Sequence, residues 1–181
     1  MSSALQTTGM LLAQLLQALR RNHALEHATL HVLAQQFPHA MLAGRADARG
    51  FMLYGSVPGA AVQAAAHTAL QRLRNGEQQL ALHPNCGTNL VAGGLLAALA
   101  LGLATAGSGR SRLARLLRVP LLAGLLPLAM LGARPLGYAA QRSLTTSSAM
   151  GALQIVRVTR SARAGRIRHR IQTRAAAAPG L

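Results

Sequence analysis

Along residues 10–36, Leu12, Leu16, Leu19, His23, His27, Leu30 and Ala34 recur at steps of three and four and fall on one stripe. The pattern predicts a single long amphipathic helix, with two histidines in line with the leucines and facing the interior. Phe37-Pro38 ends it. A change of period follows. Ala40-Met41-Leu42-Ala43 and Phe51-Met52-Leu53-Tyr54 read as the two strands of a hairpin, joined through residues 44–50. Ser56-Val57-Pro58 then supplies a capping residue and an early-helix proline. The second amphipathic helix it opens runs to about Arg74, with Val62, Ala66, Ala69, Leu70 and Leu73 inward, and Asn75-Gly76 stops it. Gln78 to Leu82 reads as a short strand, and residues 83–87 as a turn.

From Thr88 the pattern loses its polar positions. Thr88 to Gly107 carries no charge, and an apolar helix of ~20 residues is long enough to cross a bilayer. Four arginines occupy Ser108 to Arg118. Val119 to Ala133 is apolar again, interrupted by Pro120 and Pro127, and reaches spanning length by including Arg134 to Tyr138, whose arginine can snorkel to the interface. Beyond it, Leu153 to Thr159 and Arg166 to Thr173 read as two strands around Ala164-Gly165. In the first of them Ile155, Arg157 and Thr159 alternate with Val156, Val158 and Arg160, as a half-buried strand requires. The predicted fold class is therefore α+β: a helix–hairpin–helix–strand unit in residues 1–87, a two-helix membrane hairpin inserted at 88–141, strands at 142–174 that complete the α+β domain, and a disordered tail at 175–181.

Composition sharpens this picture. Hydrophobic residues make up 51% of the 181 but aromatics only 2%, so the apolar content is mostly Ala, Leu and Val. All 19 basic residues are arginine, in part a codon-composition effect, and they are unevenly placed. Residues 1–87 hold six arginines and all three acids, Glu26, Asp47 and Glu77; residues 88–181 hold thirteen arginines and no acid. A basic surface attracts nucleic acid or anionic lipid. The basic half is also the half with the long apolar runs and has no aromatic stacking platform, so the expected partner is a lipid bilayer and not nucleic acid. The chain carries fifteen arginines outside the hairpin's loop against four in it, which places both termini in the cytoplasm of a multi-pass protein of the cell membrane. The N-terminus has no basic region before its apolar stretch, which Gln14 and Gln17 interrupt, and does not read as a cleaved signal.

The chemistry gathers in two places. His23-Ala24-Leu25-Glu26-His27 puts two imidazoles one helical turn apart on one face, so both can reach one ion. Glu26 is near enough to act as a catalytic acid–base group without binding the metal. The second place is His83-Pro84-Asn85-Cys86-Gly87-Thr88-Asn89. Cys86, the sole cysteine, cannot form an intrachain disulfide and is the first choice for a third ligand; His83, Glu77 and His31 are the alternatives, His31 also as a hydrogen-bonding neighbour of a ligand. The implied metal is zinc. Arg45, Asp47 and Asn89 are candidate supporting residues. His169, between Arg168 and Arg170, reads as a surface histidine, and His39 and His67 as ordinary.

The His23–His27 stretch is similar to the zinc motif of the pitrilysin-type peptidases and of S-ribosylhomocysteine lyase, the inverzincin order His-x-x-Glu-His. The lyase resemblance implies a downstream cysteine as third ligand, which maps onto Cys86; the peptidase resemblance implies a downstream glutamate, which maps onto Glu77. The lyase's catalytic cysteine has no counterpart here, so lyase activity is not expected. Residues 20–90 resemble more closely an uncharacterised family of bacterial membrane proteins, a domain of unknown function. Its members carry a His-Ala-Leu-Glu-His-Ala-Thr helix, a Gly-Arg-x-Asp hairpin ending in Leu-Tyr-Gly, and a His-Pro-x-Cys-Gly-Thr-Asn turn. These match His23–Thr29, Gly44–Asp47 with Leu53–Gly55, and His83–Asn89. Two expectations of different class follow: a membrane-anchored, peptidase-like zinc hydrolase using Glu26, or a membrane scaffold or regulator with a structural or vestigial metal site.

Overall fold

The stripe of apolar residues does build a helix, and it starts earlier than its first leucine: α1 spans Ser2–Gln36. The computed structural model describes residues 2–105, 112–163 and 165–175. The chain divides into two units, one made of Met1–His83 with Arg142–Leu181, the other of Pro84–Gln141.

In the first unit, strands β1 (Ala43–Asp47), β2 (Gly50–Tyr54), β3 (Leu153–Arg163) and β4 (Arg166–Ala175) form one antiparallel sheet in the order β1-β2-β4-β3. Helices α1 and α2 (Gly59–Arg74) pack on each other, and α1 also packs on β1 and β2 and α2 on β3. Between helices and sheet lie Leu25, Leu33, Phe51, Leu53, Val62, Leu73, Leu153 and Ile171, all at most 2% exposed. Strand β2 is central, and its alternation decides which face is covered: Phe51 and Leu53 are buried while Tyr54 is exposed. All five residues expected inward on α2 are buried, and Arg74 at its C-terminal end donates to the carbonyl of Leu153 at 2.7 Å.

Stretches of the chain depart from the pattern. Leu12, Leu16, Leu19 and Ala34 are exposed, so the inward stripe holds only through the middle of α1, where residues 24–30 are all buried. The hairpin is shifted: residues 40–42 lie outside the ladder, and the connection is two residues, Ala48-Arg49, instead of seven. Its tightness has local causes. Asp47 Oδ1 accepts the Arg49 N–H at 2.8 Å, and Gly50, at φ 135°, opens β2 where any Cβ would clash with the Ile171 carbonyl oxygen. Residues 78–81 form a 3₁₀ turn and not a strand, closed by hydrogen bonds from Leu80 N–H to Glu77 O and from Leu82 N–H to Gln79 O.

Strand β3 shows a fourth difference. The register slips between Ile155 and Arg157, so a bulge at Val156 reverses the alternation. Ile155 and Val158 therefore both pack against the core, while Val156, Arg157 and Thr159 are exposed. His169 is not a surface residue. Paired with Leu53 on one side and Arg160 on the other, it is fully buried, with no hydrogen-bond partner for either ring nitrogen among the described residues. The tail beyond Ala175 and residues 106–111 of the interhelical loop lie outside the described residues.

The second unit is a helical pair. Helix α3 spans Gly87–Thr105 and α4 Arg112–Ala140, the latter continuing as a π-helical turn over Gln141–Thr145. Pro120, Pro127 and Pro135 are accommodated inside α4. Small residues set the spacing: a Cβ on Gly93 would meet Ala133, and one on Gly132 would meet Leu96, each at 3.4 Å. Two stretches, Gly87–Thr105 and Val119–Thr145, are long and apolar enough to cross a membrane.

Two predictions follow from the first unit. Gly50 and Gly76 both have positive φ, but nothing lies within 4 Å of a Cβ on Gly76. Gly76→Ala should cost only backbone strain, ~1–2 kcal/mol. Gly50→Ala adds the clash with β4 and should lower the melting temperature markedly more. The second prediction concerns pH. Burial, aided by the charge of Arg160, lowers the pKa of His169 below its ordinary 6.5, against a smaller opposing effect of the Gly55 and Val57 backbone. A neutral core histidine takes up a proton only on unfolding, so its stabilising contribution is full above about pH 6.5 and is lost as pH falls toward the lowered value. Thermal melts of the full chain between about pH 7.5 and 5.5 should show a steeper loss for wild type than for His169→Leu.

Candidate metal centre

The middle of α1 is an unusually polar stretch to bury. Asn22, Glu26, His27 and Thr29 are all at most 4% exposed. Each buried polar atom requires a partner, and irregular segments of the chain supply the acceptors. Asn22 Nδ2 donates to the Asp47 carbonyl at 2.8 Å, and its Oδ1 accepts from the Thr173 hydroxyl at 2.6 Å. His27 Nδ1 lies 2.7 Å from the Ala81 carbonyl, His23 Nδ1 3.0 Å from the Thr145 carbonyl, and His31 Nε2 2.8 Å from the Leu82 carbonyl.

These contacts fix tautomers. A carbonyl oxygen can only accept, so in the neutral ring the nitrogen facing it carries the proton. For His23 and His27 that nitrogen is Nδ1, and the lone pair is on Nε2. A main-chain carbonyl behind Nδ1–H is the arrangement that orients metal-ligating histidines. The two rings lie one turn apart on α1 with centroids 4.4 Å apart and planes at 61°. His83, just past the 3₁₀ turn, sits 5.5 Å from His27 and 5.1 Å from His31, centroid to centroid. Its pKa is lowered to about 4, by burial first and then by the charges of His27 and His31, so it is neutral at physiological pH.

Glu26 is buried against β1, directly over Gly44. A side chain at Gly44 would clash with Oε1, Cδ and Cγ of Glu26. Gly44, Leu53 and His169 form one cross-strand row of the sheet, so the carboxyl group lies on the covered face.

Cys86 belongs to the second unit, where it caps α3. Its Sγ accepts the Thr88 N–H at 3.5 Å, its thiol faces Thr88 Oγ1 at 3.4 Å, and its carbonyl accepts the Asn89 N–H at 2.9 Å. His23 and His27 lie in the first unit, and Cys86 in the second.

The remaining candidates have evident structural partners. Glu77 is bidentate to Arg72, with oxygens 2.9 and 2.5 Å from its nitrogens, and the guanidinium lowers its pKa. Asp47 pairs with Arg170 at 2.6 and 2.9 Å, which holds its pKa below the ordinary value. Arg45 is exposed on β1. Asn89 ties the helical pair together: its Nδ2 donates to the Pro84 carbonyl and its Oδ1 accepts from Gln141 Nε2, both at 2.7 Å. Sequence reasoning missed the carbonyls of Ala81, Leu82 and Thr145, because main-chain acceptors leave no mark on residue identity. It read Gly44 as part of a loop, although a glycine next to strand-forming residues is a signal of close approach.

The model of a family described as a domain of unknown function, DUF6391, matches residues 18–158. An uncharacterized protein of Picosynechococcus sp. is 43% identical over 81 residues. That similarity covers 40% of this chain and 40% of the cyanobacterial protein's length. No solved structure matches the chain.

The Glu26–Gly44 contact yields a prediction. Gly44→Ala should displace the carboxyl group and destabilise the fold by ~1–3 kcal/mol, as overpacking does. Arg45→Ala, one residue along on the exposed face, should stay within ~0.5 kcal/mol of wild type in the same denaturation experiment.

Proposed function

This chain belongs to the DUF6391 family, a domain of unknown function, and from that premise we propose, on the strength of its site, that it is a membrane-embedded zinc hydrolase with His23, His27 and Cys86 as ligands and Glu26 as the catalytic acid–base residue. The observation that carries the reading is the pair of imidazoles on successive turns of α1, each backed at Nδ1 by a main-chain carbonyl. Two nitrogens and a thiolate are the donor set of a borderline-soft ion, which favours zinc over magnesium or calcium. Covalent geometry supports the third ligand: at ~3.6 Å per residue, the chain keeps Cys86 within about 11 Å of His83, itself beside His27. A zinc ion with three protein ligands supplies Lewis-acid polarisation and an acidified water. Glu26 takes and returns the proton. The order His-x-x-Glu-His makes a peptide or amide bond the default substrate, by analogy.

Membrane embedding is supported by the surface of the helical pair. Leu90, Leu95, Leu99, Leu128 and Leu131 are 57–78% exposed, which a core hairpin of a soluble protein would not leave. The arginine excess of the flanking parts favours placing them on the cytoplasmic side.

A second reading rests on His83. Its neutral ring beside His27 is a fourth donor, and four protein ligands make a closed, structural site in a scaffold or regulator. Metal analysis of the full chain, purified in detergent without chelator, separates these. About one zinc per chain is expected, lost in both His23→Ala and Cys86→Ser; wild type without metal ends both readings. The catalytic reading requires that His83→Ala keep the zinc, and that Glu26→Gln keep it while losing hydrolysis of a peptide library. Loss of zinc in His83→Ala favours the structural site, and loss in Glu26→Gln makes that carboxylate a ligand.

A further inference from the structure

We propose that the N-terminal half of α1, residues 5–19, is a third membrane element: a helix lying in the plane of the bilayer surface, with its leucine face in the acyl chains. The inference rests on the membrane reading above and extends it to a segment that reading does not use.

Its first support is the surface of the segment. Leu5, Leu11, Leu12, Leu15, Leu16 and Leu19 are 37–72% exposed. At 100° per residue all six fall within an arc of ~140°. Gln6, Gln14, Gln17 and Thr7 fall on the opposite side. A leucine face of this kind, uncovered among the described residues, is an interaction surface.

Its second support is charge. Residues 2–19 contain no charged side chain; the first are Arg20 and Arg21. A helix that paired with a second copy in water would need flanking charges to keep it soluble and to set its register, and its seam would be apolar throughout. Here Thr8 and Gly9 interrupt the seam, and charges, Arg20 and Arg21, flank it at one end only. A spanning helix, in turn, would carry three glutamines through hydrocarbon; lying in the interface leaves them in the headgroup layer.

Its third support is where the segment joins the fold. The last turn of the second apolar span and the residues just after it are held by Arg20: its Nη2 donates to the Ser143 carbonyl at 2.8 Å, its Nε and Nη2 to the Thr146 carbonyl at 3.3 and 3.1 Å, and its own carbonyl accepts the Ser147 N–H at 3.1 Å. A span that ends at Thr145 ends at the bilayer surface. Arg20 is then at that surface too, and the uncharged residues before it begin there.

The chain contains no tryptophan, so single substitutions give an unobscured signal. Full-length Leu12→Trp, Leu16→Trp, Gln14→Trp and Leu99→Trp would be reconstituted into phosphatidylcholine vesicles, with and without lipid brominated on its acyl chains. The expected result is at least a twofold loss of fluorescence in Leu12→Trp and Leu16→Trp and a much smaller loss in Gln14→Trp. Quenching of Leu99→Trp, on α3, reports the membrane reading by itself. If it is quenched while the two α1 leucine positions are not, the inference fails and the membrane reading stands; blue-shifted, unquenched emission at those positions would assign the face to a second copy. Equal quenching of Gln14→Trp would make the helix a spanning one and overturn the in-plane placement. If no position is quenched, both readings fall.

Discussion

Main-chain carbonyls at the ends of helical turns and strands need donors, and in this protein one helix provides them. Asn22, His23, His27 and His31 occupy successive turns of α1, and each places a nitrogen against the carbonyl of Asp47, Thr145, Ala81 or Leu82. Those acceptors sit at the end of β1, at the return from the helical pair, and in the 3₁₀ turn. The irregular parts of the first unit are thus held from a single rigid element. A buried acceptor left without its donor costs about 1–3 kcal/mol, so each of these side chains matters to the fold before it matters to any chemistry.

The same bonds prepare the imidazoles. Committing Nδ1 of His23 and His27 to a carbonyl leaves Nε2 as the basic nitrogen of both rings, and rings locked at both Cβ and Nδ1 lose little freedom when they accept an ion. Structural and ligand roles therefore do not compete for the same atoms. The sheet contributes space and not donors: Gly44 leaves room for the Glu26 carboxyl group against β1. Where acids would have offered alternatives, arginines occupy them, Arg72 on Glu77 and Arg170 on Asp47.

The polar middle of α1 and its apolar first half are one continuous helix in two environments. Residues 24–30 are buried in protein, and residues 5–17 are exposed along their whole length. The change falls at Arg20 and Arg21, where the end of the second apolar span is also anchored. A chain with 51% hydrophobic residues and only 2% aromatics builds a small protein core here and spends the rest of its leucines on surfaces.

The sequence by itself determined the elements whose signal is local and periodic. These are the inward face of α2, the two apolar helices, the pairing of a hairpin with later strands in an α+β unit, and the i, i+4 histidine pair. Helical spacing and apolar run length are intrinsic to the chain and need no partner to be read. What tertiary structure decided were matters of register and environment. The bulge at Val156 reversed the face of β3, because a ladder counts paired residues and not sequence positions. Residues 78–81 became a 3₁₀ turn whose carbonyls serve α1, and His169 went inside because strand pairing set it beside Leu53. The leucines before Arg20 share one face yet meet no cover among the described residues, because periodicity fixes which residues share a face, and only the packing of distant segments fixes what that face meets.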